Sequence, residues 1–221
     1  MDKNFDWGGI KQSEIDQHTL EFNNKIYERI FEVEKDDIVV DIGAMIGTFT
    51  YSILHKEPEH CFVVEPNITN FRTLYQNLKG KQVSFTLGGI SNKNTFEAKW
   101  YDSNMAKGMT FGDFIMNNQL YNVDFLKCDC EGGEYLIFTE DYVDYLKNGV
   151  KKIACEFHLN KDNFDTGRPN RDHFREFRDN ILQEFKNYEV YSTNGVDIKW
   201  DLWNEHFIEY YNEVIIYIDN R

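Results

Sequence analysis

The sequence predicts an α/β fold: an open, doubly wound, mostly parallel Rossmann-like sheet that ends in an antiparallel pair of C-terminal strands. Three observations carry this. Short β-branched runs recur between segments of helical period, as in strands covered by helices on both faces. Glycines and polar residues gather just after those runs, where ligands sit in such sheets. The last two runs, YEVYSTNG and NEVIIYID, have no good helix between them and so are expected to pair antiparallel.

Residues 1–35 read as a mostly helical preface, with Leu20, Ile26 and Ile30 of EIDQHTLEFNNKIYERIFEV at helical spacing; residues 36–221 read as one domain. In DDIVVDIGAMIGTFT, Ile38, Val39, Val40 and Ile42 make a buried strand, and Phe49, Tyr51, Ile53 and Leu54 mark the helix after the glycine turn. HCFVVEP is the second strand, followed by a helix with Asn67 as N-cap and Gly80 as stop. KQVSFTLGGIS is the third, and NTFEAKWYD alternates like an exposed strand or hairpin arm. A short helix in MTFGDFIMNNQLYN leads to the fourth central strand, VDFLKCDC. GEYLIFTEDYVDYLKNG is helical to Gly149, VKKIACEFH is the fifth strand, and RDHFREFRDNILQEFKN is a long helix.

Composition excludes several classes of function. No apolar run approaches the roughly 20 residues that span a bilayer, and the polar N-terminus does not read as a signal peptide. A soluble, cytoplasmic protein with no membrane partner is expected. The net charge of −14, from 24 basic and 38 acidic residues, argues against a nucleic-acid partner. The one basic concentration, Arg168, Arg171, Arg175 and Arg178, reads as a solvated helix face paired with nearby acids. Cys61, Cys128, Cys130 and Cys155 lie in apolar runs without zinc-like spacing, so they read as buried thiols.

The chemistry is expected at the strand ends. Asp41, Gly43, Ala44 and Gly47 follow the first strand in DIGAMIG, where Ala44 stands at the second glycine of a dinucleotide fingerprint. Asp41 reads as an acid aimed into the pocket mouth, suited to an amine or cation. Glu65, with Pro66 beside it, ends the second strand about 20 residues on, where a carboxylate accepts ribose hydroxyls. A nucleoside bearing an amine and positive charge but no diphosphate describes S-adenosylmethionine. A tight turn next to an unrelated strand-end acid is the bland alternative.

In order and spacing, VVDIGAMIGTFT, VVEPN, VDFLKCDCEGGEYLIF and CEFH resemble the FkbM family of S-adenosylmethionine-dependent methyltransferases, over about residues 36–158. The resemblance implies the class I methyltransferase fold and methylation of a hydroxyl on a sugar or small metabolite. It implies that Asp41, Gly43, Ala44 and Gly47 line the methionine end of the cofactor, that Glu65 holds its ribose, and that Asp129 faces the reacting end. One position departs: the family has Asn after Gly-Ala, and this chain has Met45.

Strand alternation puts Lys127, Asp129 and Glu131 on one side and Cys128 and Cys130 on the other. Lys127, Asp129 and Glu134 also read as an ion network staking helix to sheet. Methyl transfer to oxygen needs an aligned acceptor and a proton acceptor. His158 is the first candidate base, with Asp129 and Glu131 in the same catalytic group. Asp129, Glu131, Glu156 and His158 also form a conceivable divalent-metal set, the less favoured reading, and no metal ligand is assigned. Three other functions compete: a nicotinamide-dependent oxidoreductase, a catalytically degenerate nucleoside-binding protein, and a metal hydrolase. The oligomeric state and the acceptor's identity are not legible.

Overall fold

A computed structural model describes residues 5–12, 15, 16, 19, 23, 25–98 and 104–221. Seven strands form one sheet in the order β3-β2-β1-β7-β8-β10-β9, where β1 is Ile38–Ile42, β2 His60–Glu65, β3 Val83–Leu87, β7 Val123–Cys128, β8 Val150–His158, β9 Tyr188–Ser192 and β10 Glu213–Asp219. β1 pairs in parallel with β2 and β7, as do β2 with β3 and β7 with β8; β10 runs antiparallel to both β8 and β9. The doubly wound sheet and its antiparallel finish are therefore as expected. A second, three-stranded sheet joins β4 (Gly89–Ile90), β5 (Thr95–Ala98) and β6 (Asn104–Met109).

Consecutive residues of the central strands go to opposite faces, as the period of two requires. Val40, Leu126, Cys155 and Ile216 join the larger core, beneath Phe111, Phe114, Phe174 and Phe177. Val39, Phe125, Ala154 and Ile215 join the other, which is closed by Ile26, Tyr27, Phe31 and Val33 and by Ile53 of the helix Thr48–Ile53. On this face residues 26–33 take the place of a covering helix. Within the preface, Gln12, Ile15, Asp16, Thr19 and Asn23 are helical, whereas Ile26–Glu28 is one 3-10 turn entered through Lys25 at φ 49°, and Ile30 is exposed. Leu20 lies outside the described residues, as does the end of the arm expected over NTFEAKWYD.

Two helices differ from expectation. The segment 133–148 splits into a 3-10 turn, Gly133–Leu136, and a short helix, Val143–Asn148, because Glu134 at the turn is drawn into the strand-end cluster described below. The sequence reading expects no helix between β9 and β10, but one lies there, Glu205–Tyr210, anchored by buried Phe207 and Ile208. The Asn67 cap is as read: its side chain accepts from the N–H groups of Thr69 and Asn70 at the start of the helix Ile68–Leu78. Among the described residues no helix is long and apolar enough to cross a membrane.

Candidate active site

A cavity of ≈ 250 Å³ opens at the carboxyl ends of β1 and β7. Its walls are the turn Gly43–Ala44–Met45, the helix residues Thr48, Phe49 and Ser52, the strand-end pair Lys127 and Asp129, and Asn23 with the segment Lys25–Glu28. The first three belong to the region singled out in the sequence. The last does not, and its local sequence gives no sign that Tyr27 reaches a site more than 100 residues away in the chain.

The turn is shaped by backbone. Gly43 and Ala44 both donate to the carbonyl of Val64, tying the end of β1 to β2. A Cβ on Gly43 would lie 1.6 Å from the carbonyl oxygen of Asp129, so only glycine lets these two strand ends approach. Gly47 does not line the cavity; it packs beneath Leu74 and Leu78 of the helix Ile68–Leu78. Met45 holds φ +50°, a region that non-glycine residues rarely occupy.

Asp41 is not in the mouth. It is fully buried under the cavity floor, where its Oδ1 lies 3.1 Å from Lys127 Nζ and its Oδ2 accepts from Thr50 at 2.7 Å. Lys127 also donates to the Gly43 carbonyl at 2.7 Å and lies 3.8 Å from Asp129. Burial works against its ammonium, but Asp41 and Asp129 outweigh that and hold it above the usual lysine range. Lys127 is therefore paired as expected, with Asp41 in place of Glu134.

Glu65 closes β2 in a buried position. Its Oε2 accepts from the Met45 N–H at 2.9 Å and its Oε1 from the Asn67 N–H at 2.8 Å. Burial pushes its pKa up to about 7 in spite of these donors. Neither Glu65 nor the adjoining Pro66 is part of the cavity wall.

Beside the cavity a second group gathers around His158, which ends β8 and is buried. Nδ1 is 3.3 Å from Glu134 Oε1, which also accepts the His158 backbone N–H at 2.8 Å. Nε2 is 3.6 Å from Glu131 and 3.7 Å from Asp129. Burial favours a neutral ring, yet Glu134, Glu131 and Glu156 outweigh it and hold the imidazole well above its ordinary pKa. Glu131, whose other oxygen meets Lys161, is raised by burial and adopts φ +58°. The Tyr27 hydroxyl lies 2.8 Å from Asp129 and 2.9 Å from Glu156. It has one proton to give, so one of those contacts is filled by a proton held on an acid. Burial, reinforced by Asp129, pushes Glu156 up to about 8.

The basic concentration at residues 168–178 is paired within the fold. Arg168 pairs with Glu176, Arg175 with Asp172 and Glu205, and Arg178 with Asp179 and Glu205, while Arg171 binds the Ile208 carbonyl. The cysteines are free thiols, and burial pushes Cys61 and Cys155 up to about 12.

No protein-family model matches the chain, and no curated protein matches it. Solved structures do. A chain from the complex of the Haloferax volcanii Trm112 methyltransferase activator with its partner, described as a methyltransferase, superposes with a TM-score of 0.50 at 12% identity, over 94% of this chain and 92% of that one. The METTL16 MTase domain superposes with a TM-score of 0.50 at 9% identity, over 96% and 70%. The Methanococcus jannaschii fibrillarin pre-rRNA processing protein gives 0.49 at 14% identity, over 86% and 69%. At such identities the likeness is one of fold: this chain shares the sheet architecture of these structures, with its cavity at the strand ends where open α/β sheets bind ligands.

Proposed function

We propose that the chain is an S-adenosylmethionine-dependent methyltransferase that methylates a hydroxyl oxygen of a small acceptor, a sugar or metabolite, as in the FkbM family its motifs resemble. The observation that supports this most is the ≈ 250 Å³ cavity over the Gly43–Ala44–Met45 turn, set between β1 and β7 of a methyltransferase fold. The residues suit such a cofactor: the turn presents backbone to the cavity, an acid ends β2, and the two lysines of the walls, Lys25 and Lys127, are already paired with Glu32 and Asp41.

When bound, the cofactor supplies an electrophilic methyl on a sulfonium. Gly43, Ala44 and the wall at residues 25–28 would hold its methionine end, and Glu65, beside Pro66, its ribose. Asp41 acts through Lys127, which fixes the Gly43 carbonyl and Asp129. Asp129 faces the reacting end. His158 is held by Glu134 with Nε2 toward Asp129 and Glu131, the two acids placed to take a proton. At the acceptor end, the hydroxyl proton would pass to Glu131 or Asp129.

The acid-rich mouth and the net charge of −14 suit a neutral or cationic acceptor better than a polyanion. That preference stands on charge alone, so an RNA oligonucleotide belongs in the acceptor screen. The test begins with thermal unfolding in S-adenosylhomocysteine, with NAD beside it. A specific ligand at about 100 times its Kd adds roughly 2.7 kcal/mol, on the order of 5–10 °C for a chain of this size. A shift with S-adenosylhomocysteine and none with NAD is expected. No shift with the former overturns the reading, and methylation of RNA in preference to hydroxylated small molecules overturns the acceptor class.

A further inference from the structure

One cluster does more than proton transfer requires. An oxygen of Asp129, an oxygen of Glu156 and a ring nitrogen of His158 lie within 4.8 Å of one another. Glu156 and His158 alternate in β8, which puts them on one face, and Asp129 follows the neighbouring strand β7. The Nε2 distances to Asp129 and Glu131, 3.7 and 3.6 Å, are too long for hydrogen bonds. They lie between the spacings of ligands around one ion, which with bonds of about 2.1 Å are about 3.0 Å for neighbours and about 4.2 Å for opposite ones.

What surrounds the three is independent of that spacing. His158 Nδ1 faces the fully buried Glu134, whose Oε1 also takes the His158 backbone N–H, so the ring is held with Nε2 toward the cluster. A carboxylate on the far ring nitrogen is how metal-binding histidines are oriented. Tyr27 holds Asp129 by Oδ2 and Glu156 by Oε2, while Asp129 Oδ1 is the oxygen that faces the ring. Charge points the same way. Asp129, Glu131, Glu134 and Glu156 converge on one imidazole, and the nearby cations, Lys127 and Lys161, are already on Asp41 and Glu131.

We infer that Asp129, Glu156 and His158 bind a divalent cation, with Glu131 next to it. Two carboxylates and one imidazole suit Mn²⁺ or Mg²⁺. The role of the ion rests on the methyl-transfer reading, in which it would hold the acceptor hydroxyl and lower its pKa; the binding site itself does not.

The test uses the full chain, stripped with EDTA and titrated with MnCl₂ by calorimetry and by the electron-spin signal of free Mn²⁺, with no methyl donor present. One Mn²⁺ per chain is expected, with affinity falling at least ~10-fold in Glu156→Gln and His158→Gln, and ~10-fold or more in Tyr27→Phe, which leaves the ligands in place but unclips them. Asp129 is partly exposed, so Asp129→Asn decides the matter if the buried variants do not fold. Absence of saturable binding up to millimolar Mn²⁺, or equal affinity in folded Asp129→Asn, overturns the site. S-adenosylhomocysteine binding is measured on the same protein: Mn²⁺ bound without it keeps the metal site and removes the methyl-transfer reading, and the reverse removes only the metal.

Discussion

Two charged groups lie side by side at the same strand ends, and they are built differently. Under the cavity, Asp41, Lys127, Thr50 and the Gly43 carbonyl satisfy one another, with Asp41 fully buried and Lys127 nearly so. Beside it, four carboxylates surround one imidazole, and the side chains of Asp129 and Glu131 stay 30% and 26% exposed. The floor has its charge balanced from within. The mouth has more acid than its own cations neutralise, which leaves work for protons or a ligand. Substitutions in the floor should therefore register in stability and those in the mouth in chemistry.

The largest expected effect tests the floor. Lys127→Met leaves Asp41 buried without its cation, and breaking a buried pair this way costs about 3–5 kcal/mol. Urea unfolding would show it, and a loss under about 1 kcal/mol would mean that the floor is not what holds β1 to β7. The matching change in the mouth is Glu131→Gln. Its ion pair with Lys161 is partly exposed and is worth less than about 1 kcal/mol, whereas a proton acceptor contributes about 10²–10⁴-fold to rate. Near-normal stability with at least a 10²-fold loss of methyl transfer is expected. Equal damage to both properties would erase the distinction between floor and mouth.

The same contrast explains what could be read in the sequence. The strands, the glycine turn and the acids after each strand were legible because pattern and neighbours lie within one short segment. DIGAMIG and DCEGGE needed no knowledge of the rest of the chain. Asp41 was placed wrongly because its partner, Lys127, is 86 residues away, and only their pairing shows that the acid is sealed in. Tyr27 was missed for the same reason: its hydroxyl meets Asp129 and Glu156 at separations of 102 and 129 residues. The helix expected over 133–148 failed because propensity could not foresee that Glu134 would serve His158. Local periodicity gives elements; long-range charge pairing decides which of their acids face a ligand.

Glu65 ends β2, across β1 from the mouth, and pH separates its two duties. Its folded pKa, about 7, is above the 4.5 of an ordinary glutamate, so the stability it contributes is full below about pH 4.5 and is lost as pH rises through 7. The size is on the order of 3 kcal/mol. Ribose hydroxyls, by contrast, are best accepted by the carboxylate. From pH 5 to 8 the unliganded protein should thus lose stability relative to Glu65→Gln while its affinity for S-adenosylhomocysteine rises. Unfolding curves and calorimetry at several pH values would read both trends, and parallel trends would remove Glu65 from the cofactor site.

The smallest expected effect concerns Met45. It holds φ +50° beside the cavity, as Glu131 holds φ +58° on the mouth side, and left-handed backbone costs most residues about 1–2 kcal/mol. Asn tolerates that region better, and the FkbM motif this turn resembles has Asn here. Met45 also lines the cavity, so replacing it removes apolar contact as well as strain. Comparing Met45→Asn with Met45→Ala cancels the lost side chain and leaves the backbone. The Asn variant should be the more stable by about 0.5–1 kcal/mol, with its Glu65–Met45 N–H bond intact. If Ala equals or exceeds Asn in urea unfolding, the strain at this turn is not stored in Met45, and the departure from the family motif costs the fold nothing.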